Sequence, residues 1–293
     1  MKVMSIHAHP DDFEFTAAGT FCALQEKFGR DLRARVVVCT DGCAGHHRLT
    51  PSETTAVRMA EQEASAREGG YEFLPLRLPD GTQPREAGLL PSRELLAALW
   101  KAIRDFEPDY VFCPPVPEDP LAGIHVDHVT VAEAVRRAAY LVNVPHAFLA
   151  EYPSTESPAR PRAVPVILNV YDSYAMGSNS YDLAVDVEPW FEKICAMTWC
   201  HQSQISEWLP WVGRHDTEVP SSPADWTTTL RRRFDRQNAE LGIRTAHAVE
   251  VFRVTAWGIV PSGAQLRRDF PGLIPDRERM GRLEARLARW GAA

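Results

Sequence analysis

No run in these 293 residues approaches the roughly 18 consecutive apolar residues that a membrane-spanning helix needs. The first strand-like stretch is not followed by Gly-x-Gly-x-x-Gly, so a phosphate-cradling turn for a nucleotide is not expected there. No Cys-x-x-Cys pair occurs among the six cysteines, which argues against a thiolate metal site. Several of them sit in apolar runs, as Cys39 does after Val36, Val37 and Val38, which suits reduced, partly buried thiols of a cytoplasmic protein. An excess of positive charge is also missing. The formal net charge is −7, so no broad footprint for nucleic acid or anionic lipid is expected. Arg231, Arg232 and Arg233 form a local basic run, which in a helical stretch reads as a solvated face. Nor is there an N-terminal apolar h-region, so a secretory signal is not expected.

What is present is ordinary globular material, 45% hydrophobic and 24% charged, enough for one large domain or a domain with an appendage. Strand-like stretches at 2–6, 33–40, 71–78 and 109–113 alternate with helical ones at 16–28, 54–69, 92–106 and 127–141. In the third helix Leu95, Leu96, Leu99 and Ile103 fall on one face, and Gly69-Gly70 ends the second as a C-cap should. Such alternation predicts βαβ units, and so a Rossmann-like three-layer α/β sandwich with a mostly parallel sheet. Past Leu141 the pattern loosens. An extended loop is expected over 144–165, strands at 166–171 and 182–187, a helix at 189–201, a Trp-rich surface excursion at 208–219, a helix at 225–242 and a last strand at 249–257. The domain is taken as 1–260. Residues 261–293 form a C-terminal extension whose charged helix, 276–290, could cover this subunit or a neighbouring one, so a homo-oligomer is compatible with the sequence.

In open parallel sheets ligands bind beyond the carboxyl ends of the strands. The loop after the first strand is Ile6-His7-Ala8-His9-Pro10-Asp11-Asp12-Phe13-Glu14, dense in imidazole and carboxylate, the ligands of a borderline divalent metal such as zinc. His9 and Asp12 are three apart in a tight turn. The loop after the fourth strand holds His125-Val126-Asp127-His128, where two histidines three apart at a helix start share one side of a turn. Together the pairs can supply three metal ligands and leave groups for proton transfer, the pattern of a catalytic site with an open position. His7, inside the strand, reads as a core histidine, and Glu14 with Phe15 as the helix start and pocket wall.

These residues resemble the PIG-L/LmbE-like metal-dependent N-acetylglucosaminyl deacetylases, whose signature is Ala-His-Pro-Asp-Asp after the first strand and a later His-x-Asp-His. Ala8 to Asp12 and His125 to His128 carry it here. The likeness reaches Thr40-Asp41-Gly42, the Arg58 helix, Leu78-Pro79-Asp80-Gly81, the stretch 193–204 and Glu250-Val251-Phe252. Val126 stands where the family often has proline, and the segments after Leu141 and Arg253 match less. The resemblance implies that His9, Asp12 and His128 bind one Zn2+ per chain, or another divalent metal. It implies Asp11 as general base, His125, in its protonated form, as the group that polarises the carbonyl or stabilises the oxyanion, and Asp127 as the residue that orients or tunes His125. Either Asp11 or His125 would protonate the leaving amine. Arg58, Asp80, Asp41 and His247 are the expected substrate-binding residues, with a structural ion pair as the competing role for Arg58 and Asp80, a simple turn for Asp41 and a loop cap for His247. Trp208 and Trp211 are expected to pack rather than stack on a sugar.

The expected function is metal-dependent removal of an acetyl or small acyl group from the nitrogen of a small, sugar-containing N-acylated substrate. The competing readings are an amidase acting on a non-sugar N-acyl amine and a non-catalytic Rossmann-like ligand-binding protein.

Overall fold

Lys2–His7 (β1) is a strand whose residues after Lys2 are all buried. In the computed structural model, which describes residues 1–153, 162–213 and 218–291, this strand lies in the interior of the sheet. Turns over 8–17 lead into Ala18–Phe28 (α1), so the helix starts two residues later than expected. Arg33–Val38 (β2) then pairs parallel to β1, from Lys2 opposite Arg33 to His7 opposite Val38. Pro51–Gly69 (α2) begins with a reciprocal capping box between Thr50 and Glu53 and ends at Gly70, whose φ of 68° suits glycine. Glu72–Pro75 (β3), Arg93–Phe106 (α3), Tyr110–Cys113 (β4), Val126–Leu141 (α4) and Val166–Val170 (β5) continue the alternation. β4 and β5 are buried along their whole length, as central parallel strands covered on both faces must be.

With Leu183–Asp186 (β6) and Val249–Val254 (β7) the sheet has seven strands in the order β3-β2-β1-β4-β5-β7-β6. β7 runs antiparallel between β5 and β6, and the other pairings are parallel. Phe21, Leu24, Phe112, Ile194 and Leu230 pack on one face and Ile6, Leu99, Ile103, Val111 and Val135 on the other, which gives the three layers. The strand order reverses direction between β1 and β4. That switch point opens a crevice at the carboxyl ends of the two strands, and both His/Asp motifs follow these strands.

The second half departs from expectation in its details. Phe191–Trp199 (α5) is followed by a π-helical turn, Ser203–Trp208, that runs into Leu209–Val212 (α6), so the Trp-rich segment is helical as far as Val212 and exposed from Trp211 to Gly213. Pro223–Glu240 (α7) starts two residues early because Ser222 caps it through Asp225 N–H. The expected loop packs Phe148 on Trp100, and its residues 154–161 lie outside the described residues, as do 214–217 of the Trp-rich stretch.

In the last stretch Gly263–Asp269 (α8), a helix not foreseen, precedes Arg277–Arg289 (α9). Leu266, Phe270, Leu283 and Leu287 join the first-face core. Between these helices Asp186 N–H donates to Gly272 O at 2.8 Å, and a Cβ at Gly272 would lie 2.8 Å from Asp186 O, so only glycine fits. Among the described residues no helix is long and apolar enough to cross a membrane.

Candidate metal centre and active site

The turn after β1 and the start of α4 bring three side chains into mutual contact. His9 Nδ1 is 3.4 Å from Asp12 Oδ2, His128 Nε2 is 3.3 Å from Asp12 Oδ1, and the two nitrogens are 3.3 Å apart. Ligand atoms about 2.0–2.1 Å from a tetrahedral zinc ion lie about 3.3–3.4 Å from one another. The two nitrogens therefore stand at the spacing that two ligands of such an ion require, each faces a different oxygen of Asp12, and His125 offers a further ligand atom within 4.8 Å of both. Imidazole and carboxylate donors suit a borderline metal.

Each imidazole is backed by a carboxylate. His9 Nε2 is 3.1 Å from Asp127 Oδ2, and His128 Nδ1 is 2.9 Å from Asp172 Oδ2. Asp127 in turn accepts from Ala87 N–H at 2.7 Å and Leu89 N–H at 3.3 Å, and Asp172 from Tyr174 N–H at 2.9 Å. Such partners fix the ring and its tautomer and raise its basicity. Burial acts to lower both histidines, but Asp12 outweighs it. His9 is raised to about 9 and His128 well above the usual value.

The motif implies that Asp127 orients His125, and the structure assigns its carboxylate differently. That carboxylate serves His9, and only the Asp127 backbone N–H reaches His125, donating to Nδ1 at 3.2 Å across the helix start. The His125 ring stands 4.6 Å from that of His9 and 4.8 Å from that of His128, and one of its nitrogens lies within 4.8 Å of theirs. Burial, then the two neighbouring imidazoles, push His125 down to about 4. A neutral ring whose Nδ1 accepts a hydrogen bond carries its proton on Nε2. These surroundings favour the neutral ring, with Nε2–H as its donor.

Asp11 stands beside this cluster and outside it. Its backbone has φ of 94°, in the region non-glycine residues avoid, and its N–H is tied to Gln62 Oε1 at 2.9 Å. Arg58 Nη2 donates to Pro10 O at 2.7 Å and lies 3.4 Å from Asp11 Oδ1, while Nη1 donates to Glu86 Oε2 at 3.0 Å and to Gly42 O at 3.2 Å. Burial raises Asp11 to about 6, with Arg58 pulling down and Asp12 pushing up. Glu14, fully buried, accepts from Gln62, Ser65 and Tyr71 at 2.6–2.8 Å and faces His201 at 3.5 Å, so it stays ionised, at about 2, despite its burial. Gln62 thus couples the Asp11 turn to a buried polar network that reaches the end of α5.

The sequence-expected substrate residues are placed unevenly. Arg58 is buried behind Asp11, with Nη1 and Nη2 engaged by Gly42, Glu86 and Pro10. Asp41 accepts from Cys43 N–H and Glu86 N–H at 3.1 Å and shapes a turn. Asp80 is exposed and holds Thr82, and His247 is exposed and bonds Asp186 at 2.7 Å beyond the far edge of the sheet. Neither touches the cluster. Motif reading missed Glu86, Gln62 and Asp172. Asp172 was the accessible one, because it follows β5 as the His/Asp motifs follow β1 and β4.

A cleft opens over the cluster, bounded by Asp11, Asp12, Phe15, His128, Tyr174 and Arg233. Fold and cluster together define a class: an α/β domain with a His/Asp cation site at the sheet's switch point, as in a metal-dependent hydrolase. Residues 4–139 match the PIG-L family model, GlcNAc-PI de-N-acetylase, and contain both motifs. The chain carries a PIG-L domain and is a deacetylase, an enzyme that hydrolyses an amide C–N bond.

Solved structures share the fold. N,N'-diacetylchitobiose deacetylase from Pyrococcus horikoshii is 24% identical with a TM-score of 0.63, covering 87% of this chain and 84% of its own. A conserved protein from Thermus thermophilus is 19% identical with a TM-score of 0.60, over 88% and 95% of the two chains. The 4-carboxy-2-hydroxymuconate hydratase GalB from Pseudomonas putida is 16% identical with a TM-score of 0.58, over 87% and 95%. Since one of these is a hydratase, the shared fold does not set the reaction. No curated protein matches the chain in sequence.

Proposed function

We propose that the chain is a zinc-dependent N-deacetylase that removes an acetyl or other small acyl group from the amide nitrogen of an amino sugar or glycoconjugate, with Asp11 as general base. The observation that carries the reading is the pairing of two imidazoles at zinc-ligand spacing, His9 and His128, both against Asp12, with a separate buried carboxylate, Asp11, at their side. The family's description as a de-N-acetylase of a GlcNAc conjugate favours an amino sugar.

A zinc ion held by His9, Asp12 and His128 supplies a Lewis acid for the acyl oxygen and lowers the pKa of a water molecule. The remaining work belongs to the protein. Asp11, ionised above about pH 6, takes the proton of the attacking water. His125 donates its Nε2–H to the oxygen on which charge builds as the acyl carbon becomes tetrahedral. Asp127 and Asp172 hold the two imidazoles still. The leaving nitrogen needs one proton, and neutral His125 has a single ring proton already committed to the oxyanion. Asp11, protonated in the first half of the reaction, returns it, so that amide and water become carboxylate and amine. The six free thiols agree with a cytoplasmic setting.

The test is to incubate the zinc-loaded protein with N-acetylglucosamine, its glycosides and N-acetylated non-sugar amines, and to quantify acetate and primary amine. Equimolar release from the sugars is the expected result. Release from none of the N-acyl amines would overturn the reading, and release from the non-sugar amines alone would move it to a general amidase.

A further inference from the structure

The basic run on α7 does not behave as a single solvated face. Consecutive residues of an α-helix are about 100° apart, so three in a row cannot all face water on a packed helix. Arg231 pairs with Glu188 through two bonds of 2.7 Å, Arg232 is exposed, and Arg233 borders the cleft over the metal centre. The Arg233 guanidinium lies over the Phe15 ring, 4.5 Å from its centroid. Among the described residues it has no hydrogen-bond or ion-pair partner.

The nearby acids do not call for it. Asp11 has Arg58, Asp12 lies between His9 and His128, and Asp172 has His128. Burial lowers the Arg233 pKa, and Tyr171, Tyr174 and Asp11 act the other way while Arg236 adds to the lowering. A partly desolvated guanidinium without a protein anion is costly unless something else completes it. The contact with the Phe15 ring takes none of the guanidinium's N–H donors, and those donors match a carboxylate or phosphate in bidentate fashion.

We propose that Arg233 forms an oxyanion-binding subsite beside the metal centre, so that the substrate carries a carboxylate or phosphate in addition to its N-acyl group. The inference rests on the deacetylase reading to the extent that the cleft is taken to receive the N-acyl substrate. Arg233 is here a specificity residue, and removing it changes which substrates bind rather than how the amide is cleaved.

The test compares the zinc-loaded wild type with Arg233→Met, which keeps the stem packed on Phe15, and Arg233→Lys, which keeps the charge. Substrates are N-acetylglucosamine, N-acetylglucosamine 6-phosphate and N-acetylmuramic acid, read as kcat and KM. The matching amines (glucosamine, glucosamine 6-phosphate and muramic acid) are titrated by calorimetry, which needs no turnover. The wild type should bind at least one anionic ligand about ten- to a hundredfold more tightly than the neutral one, as a charge-assisted bond implies. The phosphate and lactyl arms show which oxyanion fits. Arg233→Met should abolish the preference by raising KM for the anionic substrate alone, and Arg233→Lys should keep part of it. Equal wild-type binding of all three ligands would overturn the subsite, as would a preference surviving in Arg233→Met or an equal loss for neutral and anionic ligands. If the wild type cleaves no N-acyl substrate the deacetylase reading fails, while calorimetry still decides the subsite.

Discussion

Asp11 and Asp12 are joined by one peptide bond, yet Asp12 lies 3.4 and 3.3 Å from the two imidazoles while the nearest charged partner of Asp11 is Arg58. If the division of labour is as proposed, Asp11→Asn keeps about one zinc per chain and loses kcat by about 10²–10⁴-fold, whereas Asp12→Ala loses the metal. Elemental analysis beside steady-state kinetics separates the two, and near-normal turnover in Asp11→Asn would remove the base assignment. Arg58 acts on the same carboxylate by lowering its pKa against burial. Its replacement by Met lets Asp11 rise, and since the base works ionised, the acid limb of the kcat/KM profile moves to higher pH, by about one unit or more. A bound cation lowers Asp11 in both proteins and does not change that sign. An unmoved acid limb in Arg58→Met, measured on folded protein, would separate Arg58 from the base. The motif residues were legible because ligands three apart on a turn must lie close together in sequence. Glu86, Gln62 and Arg233 were not, since each acts through tertiary placement and its flanking residues look ordinary.

At the scale of elements, the alternation of β1 to β5 with α1 to α4 could be read in advance because periodicity changes cleanly between strand and helix. The stretch after Trp199 could not. A π-helical turn has no periodic signature of its own, and the seven-residue α8 is too short for one. The charged helix α9 was visible, but its attachment was not: two leucines on a polar helix do not announce which core they complete. Leu283 and Leu287 are buried on the same face as Phe112 and Phe252, and the neighbouring chain extends β6 through Asp186, Gly272 and Ile274. Leu266, Phe270, Leu283 and Leu287 all pack in that core, and we propose that residues 261–291 belong to the domain. Leu287→Ala should cost about 2–5 kcal/mol, read as a lowered denaturant midpoint with an unchanged m-value. A midpoint within error of wild type would mean that α9 is a detachable appendage.

For the whole molecule, the metal centre couples composition, protonation and stability. A chain of net charge −7 with four carboxylates, Asp11, Asp12, Asp127 and Asp172, around two imidazoles is a strong attractor of divalent cations. The same carboxylates make His9 and His128 basic, with His9 at about 9, so at neutral pH protons compete for the lone pairs that a cation uses. The sign follows directly. Below the raised pKa each bound cation must displace at least one proton, so apparent zinc affinity rises with pH by about tenfold or more per unit between about pH 6 and 8. Because the cation binds the folded chain, it stabilises by RT ln(1 + [Zn]/Kd), about 2.7 kcal/mol at a hundred times Kd. The zinc-induced rise in Tm should therefore be large near the upper end of that range, shrink toward the lower end at fixed free zinc, and vanish at both in Asp12→Ala. Competition against a chromophoric chelator gives the affinity and differential scanning calorimetry the Tm. An affinity that stays flat across this range would mean that the ion does not occupy the lone pairs of His9 and His128, and this cluster would lose its claim to be the metal centre.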